Sequence, residues 1–251
     1  MAKQTQKQTE ELIKEEEYIN RNEDGLRFSV LYYNLCADKI TDEIAEKMLV
    51  YLEEGVSEGS EEASLVLGHM YMEGEFVELD EEKADFYLTN ASLSEDQDIA
   101  QTALTLLACL YKDKDKEKAI HYMVRNILEN QNPISAYLLG NCYLEGEGVP
   151  MDEKIAFDYY MMANNILVGK EYVSSIHGKV YFQLGDCYLY GIGIEKDPKV
   201  ALWYYNQAEG VYFEESILEK GEEEGFYQLI QEAKNEAFAS IYAKKAQEIY
   251  N

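Results

Sequence analysis

Positively charged residues are scarce in this chain of 251 residues. It has 22 lysines and arginines against 49 aspartates and glutamates, which gives a formal net charge of −27. A protein that binds nucleic acid needs a basic surface to neutralise phosphates, so nucleic-acid binding is not expected. Binding to an anionic membrane surface is disfavoured for the same reason. A basic protein or peptide is a better partner, because an acidic surface attracts cationic groups over a distance.

Long apolar segments are absent as well. No apolar run approaches the about 20 residues that a helix needs to span a bilayer, so no membrane insertion is expected. No apolar segment typical of a secretion signal opens the chain. The sequence therefore predicts a cytoplasmic protein, with an unusual export route as the alternative left open.

Cysteines are few, and their spacing does not favour disulfides. The four are Cys36, Cys109, Cys142 and Cys187. Cys142 and Cys187 hold the same position in two successive copies of the repeat described below. Packed helices would place such positions about 8–10 Å apart, whereas a disulfide needs Cα atoms within about 7 Å. Free thiols in a reducing compartment are therefore expected.

Residues of the kinds that build catalytic or metal sites are also sparse. The histidines His69, His121 and His177 are far apart and share no spacing typical of metal ligands. Carboxylates are abundant, but in so acidic a chain pairs of them arise without a catalytic role. The sequence predicts no enzyme activity, no catalytic residue, no metal and no cofactor.

What the sequence does contain is one pattern in three copies. Each copy has a Leu-Gly pair, and the other residues keep fixed distances from its glycine. A tyrosine follows at +3, a glycine at +6, an aliphatic residue at +9 and an aspartate at +12, and then an alanine at +16, a tyrosine at +19 and an alanine at +23. The glycines that anchor the copies are Gly68, Gly140 and Gly185. Repetition of a unit of this length predicts a stacked array rather than one globular core.

The spacing predicts a helix, a turn and a second helix in each copy. Steps of three and four residues place Leu, Gly and Tyr on one helix face. Glycine inside a helix costs about 0.8–1 kcal/mol relative to alanine, so another backbone is expected to approach it closely. The glycine at +6 suits a helix end with positive φ, and the aspartate at +12 suits the N-cap of the second helix. Pro198, directly after Asp197, suits the first helical turn.

These copies resemble the Sel-1-like repeat family, which is related to the tetratricopeptide repeats. The pattern has a leading Ala, two or three further residues, then Leu-Gly-x2-Tyr-x2-Gly-x-Gly-Val, followed by Asp and two later alanines, and it is found over Ala136–Ala163. It is also found over Ala63–Ala91, where Phe76 replaces one glycine, and over Tyr181–Ala208, where the tyrosine replaces the leading alanine. The resemblance implies an all-α fold, a right-handed superhelical solenoid of antiparallel helix-turn-helix repeats. It also implies an adaptor that binds other proteins.

The repeats are expected to fill a single solenoid domain over residues 1–251. A fourth, less regular copy is anchored on Ala108, with a lysine-rich segment at 112–116 in place of its glycine loop. About nine additional residues near 164–179 are expected to lengthen a connection or a helix. The predicted segments are a polar N-terminal stretch at 1–24 with a short helix at Leu12–Ile19, a degenerate first repeat at 25–57, four repeats at 58–92, 96–129, 133–165 and 172–208, and C-terminal capping helices at 211–251.

Apolar residues at helical spacing support the first repeat and the C-terminal helix of these predicted segments. The degenerate first repeat has its stripe at Leu31, Leu35, Ala45, Met48 and Leu52. Residues 225–250 place apolar side chains near helical spacing, which predicts one long amphipathic helix that caps the array. A role of this helix in dimerisation is the alternative.

A partner is expected to bind on the first helices of the repeats. Stacked helical pairs curve, and the first helices line the inner surface. Positions between the repeat landmarks should then form a groove with an aromatic and aliphatic floor and a polar, acidic rim, which suits a basic peptide. The predicted binding residues are His69, Met72, Glu73, Thr105, Tyr137, Asn141, Leu144, Glu145, Phe182, Asp186 and Tyr190.

The sequence therefore predicts a non-enzymatic scaffold that binds a protein or peptide in this groove. Two alternatives stay open at this point. One is a regulator or accessory protein of an enzyme. The other is an acidic mimic of nucleic acid, which requires ordered rows of carboxylates on one face. The sequence does not define the oligomeric state.

Overall fold

The structure, a computed structural model, describes residues 42–168, 175–218 and 224–250. These residues form ten helices and no strand, which confirms the all-α fold class. The predicted stretch at 1–24 with its short helix, and Leu31 and Leu35 of the first repeat, lie outside the described residues. In chain order the helices are α1 (Asp42–Ser57), α2 (Glu61–Glu73), α3 (Glu81–Ala91), α4 (Gln97–Tyr111), α5 (Lys116–Asn130), α6 (Pro133–Glu145), α7 (Glu153–Leu167), α8 (Ser175–Tyr190), α9 (Pro198–Leu218) and α10 (Glu224–Tyr250).

Two compact units divide the chain, residues 1–110 and residues 111–251. In the first unit α2 packs on both α1 and α3. In the second unit α6 and α7 form one helix hairpin, and α8 and α9 form the next. There α5 packs on α6, α7 packs on α8, and α10 packs on both α8 and α9. Each hairpin of the second unit thus contacts the element before or after it, as stacked repeats do.

Side chains that cap the helices determine where the second helices begin. Asp80, Asp115 and Asp152 each accept a hydrogen bond at 3.0 Å from the backbone N–H three residues later. Asp197 accepts one at 3.0 Å from the N–H two residues later, and Pro198 is the first residue of α9. The N-caps predicted at Asp80, Asp152 and Asp197 are confirmed, Asp115 is a further one, and each such cap stabilises its helix by about 1 kcal/mol.

The turns after the first helices have the backbone conformation that the glycines predict. The glycine at +6 has a φ between 69° and 81° in all three copies, and Gly148 and Gly193 at +8 have φ of 73° and 68°. Phe76 occupies the +8 position of the first copy with a φ of 63°. This conformation costs a residue other than glycine about 1–2 kcal/mol, so the turn keeps its shape against the preference of its local sequence.

The two tyrosines of each copy form a stacked pair that joins its two helices. Their ring centroids lie 5.6–5.8 Å apart, and their ring planes differ by 9–17°. Such pairs stabilise by about 0.5–1.5 kcal/mol beyond the burial of their area. The three pairs are Tyr71–Tyr87, Tyr143–Tyr159 and Tyr188–Tyr204.

The glycine of the Leu-Gly pair makes room for the residue at +20 on the second helix. A Cβ on Gly140 would lie 2.5 Å from the ring of Tyr160, and a Cβ on Gly185 would lie 2.4 Å from the ring of Tyr205. The close approach at this glycine is therefore made by a side chain in these copies, not by the backbone that the sequence predicts. A buried tyrosine ring rests against bare backbone, and both rings are fully buried.

The buried core of the second unit consists of two clusters, which come one after the other in chain order. One lies among α6, α7 and α8, around Tyr160 and Leu184. The other lies among α8, α9 and α10, around Tyr205, Ile230 and Ala237. In the first unit Ala45, Met48 and Leu52 of the predicted stripe are buried. Across the described helices, none has the length and apolar character that crossing a membrane requires.

Candidate functional site

Four of the predicted binding residues belong to the first unit. His69, Met72 and Glu73 lie together in the second half of α2, and Thr105 lies on α4. Glu73 is exposed and the other three are half-buried. The hydroxyl of Thr105 donates a hydrogen bond to the backbone carbonyl of Gln101 at 2.8 Å, which directs it along its own helix.

In the second unit, α6 brings four predicted residues to one surface. The hydroxyl of Tyr160 on α7 donates a hydrogen bond to Oδ1 of Asn141 at 2.8 Å. The ring of Tyr137 lies 5.9 Å from the ring of Tyr160. Leu144 packs against the buried cluster, and Glu145 is exposed. Asn141 therefore anchors a core tyrosine, which the sequence did not predict.

The next hairpin has the same arrangement, with Asp186 in place of Asn141 and Phe182 in place of Tyr137. The hydroxyl of Tyr205 on α9 donates a hydrogen bond to Oδ1 of Asp186 at 2.7 Å. The ring of Phe182 lies 5.6 Å from the ring of Tyr205. The positions at −3, +1 and +20 thus form a recurring triad. The tyrosine at +20 was missed because the first copy has a leucine there, although its presence in two copies was visible in the sequence.

The last helix covers part of the predicted groove. The hydroxyl of Tyr190 on α8 donates a hydrogen bond to Oε2 of Glu236 on α10 at 2.8 Å. The ring of Phe182 lies 5.5 Å from the ring of Phe226 on α10. Phe182 and Tyr190 therefore contact the protein's own C-terminal helix, whereas Glu145 is exposed to solvent.

A charged contact holds α10 against α9. Nζ of Lys234 lies 2.6 Å from Oε2 of Glu209, and the amide of Gln231 donates to Oε1 of Glu209 at 2.5 Å. Burial raises the pKa of Glu209, but the hydrogen bonds from Lys234 and Gln231 outweigh it and hold the pKa below its usual range. Since the Lys234 and Glu209 side chains are only 16% and 21% exposed, this pair is less screened by solvent than a surface ion pair.

Two carboxylates, Asp186 of α8 and Glu236 of α10, lie near each other where these helices meet. Burial raises the pKa of Asp186, the hydrogen bond from Tyr205 opposes that effect, and the nearby charge of Glu236 adds to it. Burial and the hydrogen bond to Glu236 raise the pKa of Tyr190 to about 12. Both phenols donate to carboxylates, and a neutral phenol brings no positive charge to the carboxylate that accepts from it.

Replacing Asp186 with asparagine is expected to stabilise the second unit at pH 7. Asn141 accepts a tyrosine hydrogen bond at the same repeat position, so Asp186→Asn keeps the contact and removes a buried charge. A gain of roughly 1 kcal/mol, the size of one desolvation penalty, corresponds to about 2–4 °C in Tm. Thermal unfolding followed by circular dichroism measures it.

The pH dependence of this gain provides the control. Because the pKa of Asp186 is raised in the folded state, its protonation favours folding, and the charged form lowers stability as pH rises through that pKa. The difference between Asp186→Asn and wild type should therefore shrink toward pH 4 and below. A difference that stays constant with pH would show that the charge of Asp186 is not its cause.

Metal-ligating side chains do not gather in the part of the chain that the structure describes. There, no group of three or more His, Cys, Asp or Glu residues could hold a metal ion. Cys109, Cys142 and Cys187 are free cysteines, exposed, half-buried and buried respectively, as predicted for these three. Cys36 lies outside the described residues.

Comparison with known families shows which class of protein this architecture represents. The Sel1 repeat model matches residues 62–94, 107–125, 133–164 and 179–209. These segments include the three regular copies and the irregular copy anchored on Ala108. Four Sel1 repeats are therefore found in this chain, which confirms the resemblance that its Leu-Gly copies indicated.

Two solved structures are similar in fold. One is a protective antigen present in uropathogenic Escherichia coli strains and described as displaying an SLR fold, with a TM-score of 0.62 and 22% identity over 90% of this chain. This chain spans 43% of the length of that protein. The other is a Sel1 repeat protein from Oxalobacter formigenes, with a TM-score of 0.57 and 23% identity over 78% of this chain and 75% of its own. Among curated proteins, no sequence matches this one.

Proposed function

We propose that this protein is a non-enzymatic scaffold that binds a basic protein segment along the first helices of its repeats. Sel1 repeats typically form protein-interaction scaffolds, and this chain has four of them. The repeat landmarks use their side chains for packing within and between hairpins. Among the positions between these landmarks on the first helices, the exposed Glu73 and Glu145 are available for a partner.

The observation that supports a basic partner is the nature of the hydrogen bonds to Asp186 and Glu236. Both carboxylates accept from tyrosine hydroxyls, at 2.7 Å and 2.8 Å. A phenol satisfies an acceptor without neutralising its charge. Glu73 and Glu145, at the +5 position of two other first helices, are exposed. An arginine or lysine that reaches these carboxylates would gain charge-assisted hydrogen bonds.

Carboxylates in an ordered row on one face would instead favour a mimic of nucleic acid. The exposed carboxylates of the described residues occur on first helices (Glu73, Glu145), on second helices (Glu81, Asp158) and in a loop (Glu195). This distribution favours the scaffold over the mimic.

Charge reversal on the first helices tests the proposal. Glu73→Lys combined with Glu145→Lys is expected to weaken binding of short lysine- and arginine-rich peptides by about tenfold or more, or roughly 1.4 kcal/mol. The loss should be greatest at low salt, where surface charges are least screened. Fluorescence anisotropy of labelled peptides, at low and at physiological salt, measures the affinity.

A matched control distinguishes binding at the first helices from a general attraction of basic peptides to an acidic protein. Glu78→Lys combined with Glu195→Lys makes the same change in net charge at exposed loop positions, both at +10 from the repeat glycine. Peptide affinity should change less than about threefold in this control, because screening limits distant charges. Equal losses in both variants, or no loss in either, would contradict a site on the first helices.

A further inference from the structure

On the basis of the proposed function, we propose that α10 forms part of the partner groove of the second unit, beside α6 and α8, and that its Glu232 and Glu236 contact the basic segment. The matched repeats end at residue 209, so this part of the groove lies outside them. α8 contacts both α6 and α10. α10 therefore takes the place that the first helix of a further repeat would occupy.

The surface positions of the first helices have counterparts on α10. Residues at −6, −2, +1 and +5 from the repeat glycine are three or four positions apart, so they share one helix face. They are Ile134, Leu138, Asn141 and Glu145 on α6, and Lys179, Gln183, Asp186 and Tyr190 on α8. The same spacing on α10 gives the α10 face, which consists of the four exposed residues Gly225, Leu229, Glu232 and Glu236.

Contacts with α8 determine the register of the α10 face. The hydroxyl of Tyr190, at +5 on α8, donates to Oε2 of Glu236 at 2.8 Å. The rings of Phe182 and Phe226, each earlier in its helix, lie 5.5 Å apart. The two helices therefore run parallel, and Glu236 continues the row that Glu145 and Tyr190 form at +5.

The other sides of α10 are used by the fold itself. Ile230 and Ala237 are fully buried in the core cluster among α8, α9 and α10. Lys234 is paired with Glu209 of α9. Because a helix turns about 100° per residue, Glu232 lies roughly 160° around α10 from Lys234. The α10 face is therefore on the side of the helix away from α9.

Charge complementarity selects a basic protein segment as the occupant of this surface. The charged residues of the α10 face are both carboxylates, and the bond from Tyr190 to Glu236 brings no positive charge. An arginine or lysine would gain charge-assisted hydrogen bonds there, whereas a second copy of this chain, with a net charge of −27, would be repelled. Leu229 and Tyr190, 51% and 45% exposed, offer apolar surface between the carboxylates.

The stacking of the helices also predicts the spacing of basic residues in the partner. Packed helices lie about 8–10 Å apart, so the row from Glu145 across Tyr190 to Glu236 spans about 16–20 Å. An extended chain advances about 3.3 Å per residue, and its side chains alternate between two faces. Two basic residues six positions apart share one face and span about 20 Å, so they are expected to reach Glu145 and Glu236 together.

Charge removal on α10 tests this inference in the full chain. Glu232→Gln combined with Glu236→Gln removes both charges, and the new amide carbonyl can still accept from Tyr190, so α10 stays packed. Fluorescence anisotropy should show about tenfold weaker binding of a glycine- and serine-based peptide with two arginine pairs six positions apart. Asp158→Asn combined with Glu195→Gln makes the same change in net charge at exposed positions on α7 and in a loop. This control should change the affinity less than about twofold.

A second peptide, with its arginine pairs three positions apart, tests the predicted spacing. Wild type should bind the six-position peptide about fivefold more tightly, or by roughly 1 kcal/mol, and the α10 variant should lose this preference. Equal affinity of wild type for the two peptides, or an equal loss in the control variant, would overturn the inference. Circular dichroism confirms that each variant is folded.

The outcome also distinguishes this inference from the proposed function. If Glu73→Lys with Glu145→Lys weakens peptide binding but the α10 variant does not, the partner binds on the repeats alone, and only the role of α10 is rejected. If neither variant weakens binding, the proposed function fails as well.

Discussion

Replacing Gly193 with alanine is expected to lower the free energy of unfolding of the second unit by about 3 kcal/mol or more. Gly193 has a φ of 68°, and a Cβ there would lie 2.1 Å from the carbonyl oxygen of Glu153. The left-handed conformation costs alanine about 1–2 kcal/mol, and overpacking adds typically 1–3 kcal/mol. Because the obstructing atom is backbone at the start of α7, no side-chain rotation relieves the clash.

Gly191 provides the control in the same turn. It also has a positive φ, of 81°, but a Cβ there would meet the side chain of Lys196, with its Cγ at 2.8 Å. A lysine chain can move aside, so Gly191→Ala should cost only the backbone strain of about 1–2 kcal/mol. Urea unfolding followed by circular dichroism measures both variants. Equal losses of unfolding free energy in the two variants would show that the contact of Gly193 with Glu153 has no effect on stability.

The position of Gly193 explains why this effect should be large. Its turn connects α8 to α9 but rests on the first residues of α7, in the preceding hairpin. A Cβ on Gly148 would similarly lie 2.7 Å from the Cβ of Lys116, at the start of α5. These turns are therefore contacts between successive repeats. An added methyl group at Gly193 would separate two hairpins and not merely distort one loop.

Replacing Gly185 with alanine is expected to lower the free energy of unfolding by about 1–2 kcal/mol. The new Cβ would lie 2.4 Å from the ring of Tyr205. That ring is fully buried, and its hydroxyl is bonded to Asp186 at 2.7 Å, so it has no free space to enter. Overpacking by about 1–3 kcal/mol is offset only in part by the gain in helix propensity of about 0.8–1 kcal/mol.

Gly178 in the same helix should respond in the opposite direction. A Cβ there would lie 3.4 Å from Cγ1 of Val211, which is ordinary contact. Gly178→Ala should therefore raise stability by about 0.5–1 kcal/mol through helix propensity alone. In a Tyr205→Ala background the ring is gone, and Gly185→Ala should become neutral or stabilising. Loss of stability by Gly185→Ala that persists in this background would rule out the ring as its cause.

The helix boundaries could be predicted from the sequence because local chemistry determines them. Asp80 and Asp152 cap the helices that follow, since a short carboxylate can reach the N–H groups of the next turn. The glycines at +6 take positive φ because they lack a Cβ. Such contacts span only a few residues, so their spacing in the chain is sufficient to identify them.

The candidate groove could be predicted only in part. The sequence identified the exposed Glu73 and Glu145, whose positions follow from helical periodicity. It could not show that Tyr160 bonds to Asn141, since that contact joins residues 19 positions apart. Nor could it show that Tyr190 bonds to Glu236, 46 positions away. Contacts at such separation depend on how hairpins stack, and periodicity within one helix contains no information on stacking.

Phe76 shows most clearly the difference between what the local sequence determines and what the tertiary structure decides. The sequence by itself determined that a turn joins α2 to α3, because glycine and the capping aspartate on either side are local signals. Only the tertiary structure decided that Phe76 adopts a φ of 63°, a conformation that an isolated phenylalanine avoids. Packing of the two helices sets the ends of the turn, and their combined burial outweighs the strain of one residue. The order of helices in this protein is thus encoded locally, whereas the surfaces that a partner meets depend on contacts between distant parts of the chain.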